Sequence, residues 1–82
     1  MYETIYSIAI GKLYKPTLYN KVSLTMSSEA NSTFCGVLHP HEWFVLLDKK
    51  VSICATKILT PNGEVGWVHS YSGTQFVQPD EA

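Results

Sequence analysis

Pro61-Asn62-Gly63 constrains this chain more than any other stretch of it. Proline presets φ for the second position of a turn, and Asn-Gly accepts the left-handed conformations that a hairpin requires. Apolar runs of strand length lie on both sides. Ile58–Tyr71 (ILTPNGEVGWVHSY) therefore reads as a strand, a tight turn and a second strand ending at Trp67-Val68. Alternation puts Val65 and Trp67 on one face of that second strand, the face expected to meet the core. Gly66 between them reads as a point of close packing.

The segments before it are short, apolar and punctuated, as strands of the same small sheet would be. Ile5–Ile10 (IYSIAI) alternates, with Tyr6, Ile8 and Ile10 on one face. It implies an extra N-terminal strand over residues 2–10. Tyr14-Lys15-Pro16-Thr17 reads as extended, because the residue before proline avoids the helical region. Leu18–Met26 gives a further strand, shortened to Val22–Met26 if Asn20 interrupts it. Ser27–Thr33 (SSEANST) is a polar loop. Phe34–Leu38 is interrupted by Gly36, the mark of a bulge or a close backbone approach, and His39–Glu42 is a turn.

Trp43–Leu47 (WFVLL) is apolar on both faces: Trp43, Val45 and Leu47 on one, Phe44 and Leu46 on the other. A strand of that kind is covered on both sides. In so small a domain the second cover comes from the terminal segments or from another molecule. Asp48-Lys49-Lys50 reads as a charged hairpin tip, and Val51–Thr60 as the longest strand. Gln75–Val77 gives a last short strand or 3₁₀ turn, and residues 78–82 a frayed tail. Five to six short strands, with no periodic segment of helix length, make one all-β domain over residues 1–82 with its core in 18–77. A small antiparallel barrel or a pair of packed sheets is expected.

Composition narrows the partners. The 82 residues suffice for one domain with a modest core. Apolar residues make up 45% and charged residues only 16%, below the usual quarter, which suits a surface partly covered by another chain. The net charge is −1 and there is no arginine, the residue best suited to phosphate and guanine. The lysines are scattered, so no nucleic acid is expected as a partner. No apolar run approaches the roughly 20 residues of a membrane span. The first residues lack a basic n-region, so no signal peptide is expected. Cys35 and Cys54 fit a reducing compartment, where cysteine is a small buried hydrophobe, with a single disulfide as the alternative. Asn31-Ser32-Thr33 matches a glycosylation acceptor but reads as part of the polar loop.

His39, His41, His69, Cys35 and Cys54 are all zinc-ligand types. Without a paired Cys-x2-Cys element they read as turn histidines and buried cysteines, and no metal or other cofactor is expected. A thiol nucleophile, Cys35 or Cys54 with His69 and with Glu42 or Asp48 behind it, satisfies the inventory of a catalytic site. Strand cysteines among apolar neighbours are inert, however, so no enzyme is expected. The aromatics carry the stronger reading. Tyr14, Trp43, His69 and Tyr71, near turns, are the candidate binding residues, because Tyr and Trp dominate interface hot spots and line peptide grooves.

From about Val22 to Val77 the order of residues resembles the bacterial SH3 (SH3b-like) barrel family. The matching positions are Leu24, Ser27-Ser28, Gly36-Val37-Leu38, Pro40, Val45, Ala55-Thr56-Lys57 and Asn62-Gly63-Glu64-Val65-Gly66-Trp67-Val68 with Ser70. The last group is the specific one. The same signature is similar to compact SH3-like proteins of tailed bacteriophages. The family's Asn-Val-Arg-Ser is Thr25-Met26-Ser27-Ser28 here. The resemblance implies a small SH3-like barrel in the cytoplasm of a bacterial or phage-infected cell, or in a virion. Its expected role is a non-catalytic interaction or assembly module for a peptide, a partner protein or a second copy of the chain. Two alternatives stand beside it: a glycan- or wall-binding module, and a small zinc or thiol enzyme.

Overall fold

A computed structural model of the chain describes residues 2–17, 21–29, 32–40, 42–70 and 74–79. The hairpin expected around Pro61-Asn62-Gly63 is present. The Gly63 N–H donates to the Thr60 carbonyl at 3.0 Å, the Thr60 N–H to the Glu64 carbonyl at 2.9 Å, and the Glu64 N–H to Thr60 Oγ1 at 3.1 Å. Gly63 has φ +82°, the conformation a three-residue hairpin loop needs at its last position.

Eight strands are described: β1 (Tyr2–Glu3), β2 (Leu13–Pro16), β3 (Val22–Thr25), β4 (Phe34–Leu38), β5 (Phe44–Lys50), β6 (Ala55–Leu59), β7 (Val65–His69) and β8 (Phe76–Val77). They form one sheet in the order β1-β8-β2-β5-β6-β7-β3-β4, with every ladder antiparallel. The chain is thus all-β, with more strands than the five to six expected, because two-residue strands at both termini join the sheet. The order is open, and among the described residues no ladder joins β4 to β1.

The core forms where the sheet bends. β2 pairs with β5 through Leu13 and Tyr14, then with β8 through Lys15 and Pro16. Tyr14, Phe44 and Phe76 meet at that corner, with ring centroids 6.2–6.4 Å apart in tilted and edge-on arrangements. Such geometry stabilises aromatic pairs beyond simple burial. Leu24, Leu38, Leu46, Ile58 and Val68 complete the cluster, with Ile5 and Ile8 from the N-terminal segment.

Three sequence expectations are corrected. The alternating Ile5–Ile10 segment is not a strand beyond β1. The Ser7 and Ile8 N–H groups both donate to the Thr4 carbonyl, at 3.0 and 3.1 Å, making a single helical turn. That turn buries Ile5 and Ile8, three residues apart, and leaves Tyr6 and Ile10 exposed. Asp48-Lys49-Lys50 is not a hairpin tip but the end of β5. The tip is a 3₁₀ turn, Val51–Ile53, closed by Cys54 in the left-handed region at φ 51°, so the long strand expected over Val51–Thr60 begins only at Ala55. The parity of β7 is also reversed. Ile58 faces Gly66 and Thr56 faces Val68 on the core side, while Val65 is exposed and Trp67 is buried outside the main cluster.

Candidate binding surface

Of the four residues expected to form an aromatic surface, the three that are described, Tyr14, Trp43 and His69, do not come together. Tyr14 is fully buried, and its hydroxyl accepts the Ala9 N–H at 2.8 Å. Its place near a turn gives it the look of a surface residue in sequence, but strand alternation turns its ring inward. Trp43 is half-buried just before β5, with Lys15 Nζ 4.7 Å above its ring. His69 is exposed at the far end of β7, opposite Ala55. Its Nε2 lies 2.7 Å from the Ser28 carbonyl, and since a carbonyl only accepts, the ring carries its proton there. Tyr71 lies outside the described residues. Trp43 and His69 thus mark opposite ends of the β5–β6–β7 sheet.

At the His69 end the side chains serve to anchor the polar loop after β3. Lys50 Nζ donates to Ser28 Oγ at 2.8 Å and sits 5.3 Å above the Trp67 ring. With His69 it holds buried Ser28 by both its hydroxyl and its carbonyl. A concave region of about 850 Å³ lies beside this clamp, lined by Glu29, Lys50, Ile53 and His69. The potential zinc and thiol residues are dispersed. Cys35 is exposed and its thiol donates to the Val65 carbonyl at 3.4 Å, whereas Cys54 packs against the core cluster. Among the described residues no three His, Cys, Asp or Glu side chains approach closely enough to share a metal ion. His41 lies outside the described residues.

The Trp43 end has a different character. Register places Leu13 opposite Val45, Val45 opposite Leu59, and Leu59 opposite Val65. These four aliphatic side chains form one row across β2, β5, β6 and β7 on the side away from the core. With strands about 4.8 Å apart, the row is about 14 Å long. Leu13 and Val65 are 45% and 46% exposed, and Val45 and Leu59 half-buried. An open groove runs beside Leu13, Val45 and Leu59, bounded by Glu42, Trp43 and Pro61. Glu42 is fixed at the rim, where Oε1 accepts the His39 N–H at 2.7 Å.

Of the second apolar face expected for Trp43–Leu47, Val45 belongs to this row, while Leu47 falls at the register shift of β5. Phe44 and Leu46 point into the core, and Val45 points outward. Sequence reasoning found that face but not the row. The signal for the rest was present: a three-residue loop, Pro61–Gly63, between Thr60 and Glu64 puts Leu59 opposite Val65. Comparison with protein-family models, curated proteins and solved structures gives no significant match to this chain.

Proposed function

We infer that the chain is a small non-catalytic interaction module that docks a partner protein, or an extended peptide of one, on the outer face of β2, β5, β6 and β7. The observation that carries this reading is the in-register row Leu13–Val45–Leu59–Val65 beside the Trp43 groove. Side chains fixed on a paired sheet lose little further freedom on binding, which favours contact there. Trp43 at the margin belongs to the residue class that most often anchors interfaces. The SH3b-like resemblance supports the same kind of role, in the cytoplasm of a bacterial or phage-infected cell or in a virion.

The test places a photo-crosslinking amino acid at Leu13 or at Val65, and at Ile53 as a control of similar exposure on the opposite end of the sheet. In the cell that makes the protein, the two row positions should give the same discrete adduct, and Ile53 none. Trp43→Ala should weaken that adduct while the chain stays folded. An adduct from Ile53 alone, or equal labelling at all three positions, would refute the assignment.

A further inference from the structure

We propose that Thr4–Gly11 is a locked strap: a segment that opens as a unit from a sheet that stays folded, with the Lys49 ammonium as its lock. The segment joins β1 to β2, so both of its ends are tied to the sheet, yet among the described residues it makes no ladder pairs of its own. Its own hydrogen bonds are local. Besides the two to the Thr4 carbonyl, the Thr4 N–H reaches Ser7 Oγ at 3.2 Å.

Among the described residues, three groups make the polar ties from the strap to the sheet. The Gly11 N–H donates to the Leu46 carbonyl at 2.7 Å, and the Ala9 N–H to the Tyr14 hydroxyl. The third is Lys49. Its Nζ donates to the carbonyls of Ile5, Tyr6 and Ile8 at 3.0, 3.3 and 2.8 Å. An ammonium has three N–H donors, and all three are used here. The backbone of Lys49 is held opposite Thr56 in the β5–β6 ladder, so the hairpin fixes where the charge sits. One side chain thereby gathers three carbonyls that point the same way, and these are charge-assisted bonds.

Under the strap lies the core. Ile5 and Ile8 are 1% and 2% exposed and pack in the cluster that contains Tyr14, Phe44 and Leu46. Opening the strap withdraws two isoleucines and uncovers that end of the cluster, while the ladders on either side keep their hydrogen bonds. Segments with local bonding and few ties are those that open below the global unfolding energy. Access to the apolar cluster is therefore conditional on one ammonium.

Native-state amide exchange tests this. In the wild-type chain at low guanidinium, the Ile8 and Gly11 amides should exchange through an opening smaller than the one that releases the Ile58 and Val68 amides of the β6–β7 hairpin. Lys49→Met, which keeps the stem and removes the charge, should lower protection at Ile8 and Gly11 by roughly 10- to 100-fold and leave Ile58 and Val68 nearly unchanged. If all four amides of the wild-type chain follow one global isotherm, the strap does not exist, whether or not the variant folds. A uniform loss of protection across the variant would equally overturn it.

Discussion

A methyl group added at Gly66 would lie 2.8 Å from both Cys35 Sγ and Leu24 Cβ. Both neighbours are held in paired strands, so the clash cannot be relieved by one flexible side chain. Gly66→Ala should cost about 2 kcal/mol, and roughly 10 °C in Tm, measured by thermal unfolding. At Gly63 there is open space, and the penalty is conformational only. With φ at +82°, Gly63→Ala should cost about 1 kcal/mol. The order of the two losses is the informative part, since a reversed order would mean that β3 and β4 do not press on β7 as described. Gly63 was legible in the sequence because a turn is local chemistry. The inward parity of Gly66 was not. Val65-Gly66-Trp67-Val68 carries apolar residues on both parities, and the larger Trp67 outweighs Val68 in any reading from hydrophobicity alone. Tyr14 was hidden for a related reason: its burial depends on Phe44 and Phe76, which are distant in sequence.

Among the elements, the β5–β6 hairpin shows how one strand serves two surfaces. Phe44 and Leu46 reach inward, Val45 outward, and the register shift between Leu46 and Asp48 ends this apolar stretch. Beyond the shift the strand carries Asp48, Lys49 and Lys50, and the last two fasten the strap and the polar loop. Lys50→Ala removes the bond to Ser28 and the cation above Trp67. It should free the Ser27–Glu29 loop, seen as faster exchange at the Ser27 N–H, now bonded to Ser32 Oγ at 2.8 Å. The cost in global stability should be about 1 kcal/mol. An unchanged Ser27 exchange rate would show that Lys50 does not hold the loop. The N-terminal segment was misread because IYSIAI satisfies alternation. What decides its shape is the i to i+3 spacing of Ile5 and Ile8 together with Ser7, whose side chain closes a turn on Thr4. Alternation cannot register a turn whose partners are a lysine and a tyrosine elsewhere in the chain.

The molecule as a whole exposes 5111 Å². A folded monomer of its mass, 9.2 kDa, is expected to expose about 4,900 Å². The total matches what a monomer of this mass exposes. The sheet edges fit that picture, since β1 has only two residues and the register shift in the β3–β4 ladder bends the other edge, both ways of blunting edge-to-edge pairing. The purified chain should therefore sediment as a monomer at tens of micromolar, and a dimer there would contradict this reading. The proposed docking face would then be an addition to a fold that stands by itself, suited to a partner that comes and goes. Exposed Met26 and Phe34, at the far end of the β3–β4 hairpin, provide the internal comparison. They are more exposed than any residue of the row, but they sit at the end of one hairpin, and the row spans four strands.

Hydroxyl-radical footprinting compares these surfaces in a single experiment, on the purified chain and on the chain inside the cell that makes it. Leu13, Trp43 and Val65 should lose labelling in the cell, while Met26, Phe34 and Ile53 keep theirs. Protection of Met26 and Phe34 with the row unchanged would place the contact on the wrong side of the molecule and contradict the assignment of the outer face.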